Sequence, residues 1–545
     1  MKKFVALSLL IALLVSCSNH KNEEQTKNKE AEKKITKRDY SITKENSYTD
    51  LFLDSLFVET FISTNRLNDT LTRRVRSFYN ARNYQWAWFS STGLTEQGRS
   101  FWNLYQYDKT YSKEKVDDDK TLQKSMTAFA EMDSFKLTTA NTKAMNTELS
   151  LTAHFIDFIL KNYQSGDIKR KETERFVPSK RQDAIFLTDS LLSKKHKDNK
   201  YYSDVNLPYK LLKQQLEKYF AIVKNDGWQP IVFHGKILKK NMSDPVIAAV
   251  KNRLHISGEL PQADTGLLFT DELVTAVKSF QSSHGYTPTG AVNAALVKEM
   301  NVPALKRVEQ ILINMNRMRW MLINNEGDLA MVNIPEFVLH VYEGRKEVFN
   351  MPVVVGKEGH NTTIFTGILN EVVFSPYWNV TQNIVVTEIW PKMKSDPNYL
   401  QENNMEQTGI DEDGVPAIRQ LPGEKNSLGK VKFLFPNSFD IYFHDTPAKD
   451  LFQLEKRAYS HGCIRLGDPV KMAAYLLRNQ KEWTNEKIDS AMNSGVEQMV
   501  KLKKPVPVLI TYYTVWVDDK GILNFRGDVY NHDQILIRKM FTNPL

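Results

Sequence analysis

The hydrophobic repeat changes period near residue 328, and that change confines the chain to a mixed α+β fold in several domains. Before it, apolar residues return at helical spacing. In "LKQQLEKYFAIV" Leu212, Leu216, Phe220 and Val223 share one face, and Asn225, Asp226 and Gly227 stop the run. After it they alternate. In "LAMVNIPEFVLHVYEGRKEVFNMPVVVG" Val338, His340 and Tyr342 oppose Leu339 and Val341, and Glu343 and Gly344 mark a turn. Strand signals return in "VKFLFPNSFDIYFHDTP" and "VPVLITYYTVWV". A chain of 545 residues is too long for a single core.

The predicted organisation has a helical, aromatic-rich region over 51–240, a small helical unit over 243–303 and a β-rich domain over 328–540. In the first, "FYNARNYQWAWF" (78–89) reads as aromatic packing before a turn. In the second, Leu273, Val277 and Phe280 share a helix face that Thr270 caps and Gly285 ends. Within the third, the stretch 379–425 is long, mixed and rich in turn formers, an insertion placed where a lid can sit.

The N-terminus is a targeting segment. Lys2 and Lys3 precede an apolar run from Phe4 to Val15, too short to span a bilayer, so residues 1–17 read as a secretory signal. Leu14, Val15, Ser16 and Cys17 resemble a bacterial lipobox, which implies lipidation of Cys17. Residues 18–50 are polar, and a disordered tether is expected there. The formal charge of +9 is spread as interleaved Lys and Glu, which argues against nucleic acid and for an acidic polymer or membrane surface.

With Cys17 lipidated, Cys463 has no disulfide partner, since the chain holds two cysteines. In an oxidising compartment such a thiol is either buried and inert or reactive by design. A reactive one needs a base and N–H groups aimed at the oxyanion. Tyr442 and His444 share a strand face just before a turn at Asp445, Thr446 and Pro447, a good place for a base. Ser460, His461 and Gly462 precede the cysteine, with the Gly462 and Cys463 amides as oxyanion donors, and Arg465 can fix the loop or hold a carboxylate. A zinc site of His444, His461 and Cys463 lacks a fourth ligand. Neither a metal nor a phosphate-cradling loop is indicated, so no cofactor is expected.

These residues carry a resemblance. Fifteen residues separate His444 from "SHGC" (460–463), and this is similar to the L,D-transpeptidase signature. "SPYWNV", "LPGEKNSLGKVKFLFPNSFDIYFHDTPAKDLF" and "RAYSHGCIRL" resemble in order the large periplasmic, YcbB-like branch of that family. The branch joins a helical scaffold domain and a peptidoglycan-binding module to a YkuD-type catalytic domain with a capping insertion. Ala276, Val277, Phe280, Gln281 and Gly285 match that module, although Thr289 replaces its usual acidic residue; Arg465 stands where the general family often has Asn.

The resemblance implies that Cys463 attacks a peptidoglycan tetrapeptide stem, releases D-Ala and passes the acyl group to a second stem in a 3→3 cross-link; exchange with a free D-amino acid, hydrolysis of the stem as a carboxypeptidase or endopeptidase, and a non-catalytic peptidoglycan-binding lipoprotein are the alternatives. It implies His444 as base, His461 and Ser460 as shapers of the loop, and Tyr442 and Trp378 as pocket lining or core. The expected partners are donor and acceptor stems, the membrane and other wall enzymes. The expected location is the periplasm of a Gram-negative-type bacterium, as an anchored lipoprotein.

Overall fold

The computed structural model describes residues 34–111, 119–131, 136–162, 177–193, 206–321 and 327–543. The signal segment, Cys17 and the first half of the expected tether lie outside the described residues. The chain divides into two compact units: of the described residues, the first holds 34–105, 119–131, 136–162, 177–193 and 538–543, the second 106–111, 206–321 and 327–537.

In the first unit, helices α1 (Ser55–Thr64) and α2 (Asp69–Asn80) start at Asp54 and Asn68, whose side chains accept first-turn amides. Phe78, Trp88 and Phe155, the last on α3 (Thr142–Asn162), meet in a buried aromatic cluster with Trp88 and Phe155 centroids 5.2 Å apart. Glu148 of α3 is buried beneath it, accepting from Ala87 N at 2.6 Å, Trp88 N at 2.9 Å and the Tyr79 hydroxyl at 3.0 Å. The tether expected over 18–50 is shorter at its C-terminal end. Ile42 and Tyr48 are buried, and Tyr48 N donates to Ser179 O at 3.1 Å. Two apolar side chains in a polar run suffice once a distant segment supplies the backbone partners that local sequence cannot reveal.

The second unit opens with α4 (Leu207–Lys224), assigned by sequence to the helical region but packed here on a later helix. α5 (Pro245–Ser257), α6 (Asp271–Ser283) and α7 (Ala294–Met300) form a three-helix module with its own core, including Leu273, Val277 and Phe280. Thr270 caps α6 as predicted, and Gly285 takes φ +77° just past its end. Gln281 is buried and committed within the module: its amide donates to Thr289 Oγ1 and Ala291 O, each at 3.0 Å, and accepts from Gly290 N at 2.8 Å. Next comes α8 (Ala304–Met318), the helix on which α4 packs.

The β region comprises β1 (Asp328–Asn333), β2 (Val338–Glu343), β3 (Lys346–Gly356), β4 (Thr366–Phe374), β5 (Trp378–Asn379), β6 (Met405–Ile410), β7 (Pro416–Gln420), β8 (Val431–Leu434), β9 (Phe443–His444), β10 (Ala458–Ser460), β11 (Ile464–Leu466) and β12 (Gln498–Thr511). The main sheet runs β10-β3-β11-β9-β8-β4-β12-β1-β2, and β2 also pairs β3. The long strand β3 thus spends its first half on β2 and its end on β11, which closes the sheet on itself. The alternation predicted for β2 holds, with Leu339 and Val341 fully buried.

The insertion builds a separate small body: β5, β6 and β7 form a three-stranded sheet, and Val385, Ile389 and Ile418 form its core. Its helical run is interrupted by a π-helical turn, Val385–Ile389, an irregularity frequent at functional sites.

Candidate active site

The site lies where β9 and β11 run parallel, with Phe443 beside Ile464 and His444 beside Arg465. Side chains alternate along each strand, so Phe443 and Ile464 point together into the core, both fully buried. Tyr442, His444, Cys463 and Arg465 therefore share the opposite face. Burying each core residue is worth roughly 1.5–3 kcal/mol, and a one-residue slip would send His444 inward and Phe443 out. The core thereby sets the register that assembles the site. Lys432 of β8 stands opposite His444, half-buried with its pKa lowered by burial. Sequence reading missed it because cross-strand register is not local information.

Cys463 is partly exposed, and its thiol lies 3.5 Å from the Asp440 carbonyl oxygen. Burial pushes the thiol pKa up to about 11, while hydrogen bonds from the backbone and hydroxyl of Tyr442, and the Arg465 charge, favour the thiolate. His444 is buried, and burial first, then Arg465, hold its pKa down to about 3, against the pull of the Asp445 and Leu428 carbonyls. At neutral pH both groups are uncharged. Neutral His444 has one N–H, and Nδ1 lies 2.5 Å from the Asp445 carbonyl oxygen. With the proton on Nδ1, Nε2 is the basic nitrogen. Asp445 is held in turn, its carboxylate accepting from Lys430 N at 2.8 Å and Lys449 Nζ at 2.5 Å. A Cβ on Gly429 would collide with that carboxylate, and Gly429 takes φ +64°.

The Ser460–Cys463 loop is tied internally. The Ser460 hydroxyl donates to Cys463 O at 2.5 Å and accepts from Gly462 N at 3.2 Å. Of the two amides expected as oxyanion donors, that of Gly462 is therefore engaged. The Cys463 N–H meets no acceptor among the described residues. Lys357 N donates to Ser460 O at 2.8 Å. Thr362 Oγ1 donates to Gly462 O at 2.7 Å.

His461 turns outward to the insertion: its Nε2 is 2.6 Å from Glu388 Oε1 on the π-helical turn, and His360 packs edge-on to its ring at 5.0 Å. Thr362, His360 and Glu388 lie 73 to 103 positions from His461 to Cys463, so no motif spacing signalled them. Trp378 is on β5 opposite Gln420, in the insertion's own sheet. Among the described residues it makes no hydrogen bond or ring contact with Cys463, His444 or Tyr442. Tyr442 does reach the site, its ring 5.9 Å from that of His444. The Arg465 Nε is buried without a hydrogen-bond partner among the described residues.

Comparison with known proteins bears on this arrangement. Residues 327–508 match the L,D-transpeptidase catalytic domain, YkuD, and residues 73–216 match a scaffold domain. A putative L,D-transpeptidase of Haemophilus influenzae is 30% identical over 252 residues, 44% of this chain and 50% of that protein. The chain thus matches about half the length of that curated relative. Among solved structures, an L,D-transpeptidase from Mycobacterium smegmatis is 14% identical, covering 34% of this chain and 58% of that one, with a TM-score of 0.18. One from Stackebrandtia nassauensis is 13% identical, covering 50% and 96%, with a TM-score of 0.21. Scores this low add nothing to the fold described above. By these two matches the chain carries a YkuD-type L,D-transpeptidase catalytic domain following a scaffold domain.

Proposed function

We propose that the protein is an L,D-transpeptidase acting on peptidoglycan tetrapeptide stems through Cys463. The observation that carries the reading is the common sheet face of Tyr442, His444, Cys463 and Arg465, set by the buried pair Phe443 and Ile464. Because thiol and imidazole are both neutral at rest, His444 Nε2 takes the proton as the sulfur–carbon bond forms. The tetrahedral oxyanion is met by the Cys463 N–H. As the intermediate collapses, the carbon–nitrogen bond breaks and His444 returns the proton to the leaving D-Ala amine, leaving a thioester. An acceptor amine then attacks the thioester, loses its proton to His444 and releases the thiolate, which regains that proton. With the side-chain amine of a second stem as acceptor the product is a 3→3 cross-link.

The Arg465 Nε, which has no hydrogen-bond partner among the described residues, supports recognition of an anionic stem. The N-terminal sequence supports export and anchoring through Cys17 as a periplasmic lipoprotein, with the 243–303 module as a wall-binding element. The full chain and Cys463→Ala are incubated with purified disaccharide-tetrapeptide and the products are read by mass spectrometry. A dimer lacking one D-Ala, formed only by the wild type, is expected. Tripeptide alone makes the enzyme a hydrolase, and unchanged substrate overturns the reading. Intact mass of the protein itself tests the lipid on Cys17.

A further inference from the structure

We propose that Thr362 is a positioning residue that aims the Cys463 N–H at the oxyanion, an inference resting on the acyl-transfer reading above. The peptide unit is planar and trans, so the Gly462 carbonyl and the Cys463 N–H point in opposite directions. Whatever holds the carbonyl thereby aims the amide. Gly462 sits at φ +115°, where glycine's freedom gives the peptide plane no lock of its own. Thr362 supplies it. Its hydroxyl donates to Gly462 O at 2.7 Å and accepts from Gly356 N at 2.9 Å, so both roles of that oxygen are filled.

The threonine is itself immobilised. It is 1% exposed, and its backbone N–H donates to the Tyr530 hydroxyl at 3.3 Å, which in turn donates to Gly356 O at 2.7 Å. Tyr530 N donates to the Tyr512 hydroxyl at 2.8 Å. The 357–362 loop folds back so closely that a Cβ on Gly356 would collide with the His360 carbonyl. Facing away from this cluster, the Cys463 N–H has no acceptor among the described residues. It is therefore an unspent donor beside the sulfur. Without the Thr362 bond the Gly462 carbonyl is free to rotate and present its negative end where the oxyanion must form.

The test compares two modifications of Cys463 in the full chain, wild type against Thr362→Val. Acylation by the tetrapeptide stem or by a carbapenem passes through an oxyanion, whereas alkylation by iodoacetamide at a saturated carbon does not. Acylation is expected to fall about tenfold to a hundredfold, in kcat more than in KM, with alkylation within about twofold of wild type. Thr362→Ser, which keeps the hydroxyl, is expected to restore acylation. If Thr362→Val fails to fold by thermal unfolding, Thr362→Ala takes its place with the same expectations.

A folded variant that acylates at the wild-type rate overturns the proposal alone. So do equal losses in acylation and alkylation, which mean a displaced thiol, and failure of Thr362→Ser to restore acylation. A wild type that iodoacetamide modifies but no acyl donor does removes the functional reading, and this inference with it.

Discussion

Each unit is organised around a buried polar group far from its partners in sequence, but the two networks end differently. In the first, Glu148 consumes the amides of Ala87 and Trp88 and the Tyr79 hydroxyl. In the second, Thr362 consumes the Gly356 amide and a carbonyl, that of Gly462, which leaves the neighbouring Cys463 amide unspent. Burying a polar group with its partners rigidifies either site. The difference is that capturing N–H groups builds structure, whereas capturing a carbonyl orients the next N–H for chemistry.

The largest effect that sharpens this contrast is at His444. His444→Gln is expected to lower the rate of Cys463 acylation by about 10²–10⁴-fold, measured by intact mass over time, while thermal unfolding changes little. A rate near wild type would mean that another group takes the thiol proton.

Glu148→Ala should do the reverse. It strands the buried amides of Ala87 and Trp88, so roughly 2–4 kcal/mol of stability is lost, read by denaturant unfolding, while iodoacetamide still alkylates Cys463 as in the wild type.

The same residue carries a pH dependence. Burial raises the Glu148 carboxyl to about 7 from its ordinary 4.5. Between those values the folded chain binds a proton that the unfolded chain releases. Its contribution to stability is therefore greatest below 4.5, falls as pH rises to 7 and is constant above. The wild type's advantage in Tm over Glu148→Ala should shrink across that window, and a flat difference would place the titration elsewhere.

The smallest effect concerns the insertion. The Glu388 and His461 side chains are 41% and 29% exposed, and such pairs are worth about 0–1 kcal/mol. Glu388→Ala should slow acylation by no more than about fivefold and speed hydrogen exchange over 385–395. A loss as large as that at Thr362 would make the insertion part of the oxyanion machinery.

Several features were legible because their cause is local. The alternation of Leu339 and Val341 and the Thr270 cap follow from spacing and capping chemistry in a few consecutive residues. Tyr48 and α4 were not legible in this way, because they find their partners far along the chain, at Ser179 and in α8. Trp378, expected from the resemblance as pocket lining or core, lies on β5 opposite Gln420, a pairing that strand register sets and local sequence does not reveal.

For the site, the sequence alone singled out Cys463, His444 and Gly462 as candidates, since a nucleophile, a base and close backbone approach need particular residue types at particular spacings. Only the tertiary structure decided which amide stays open. That depends on a threonine 100 positions before Gly462, a tyrosine 168 positions after that threonine and a register fixed by two core side chains. Hydrogen bonds to backbone carbonyls require no residue pattern at the receiving end, so they leave no trace in the sequence until the chain has folded.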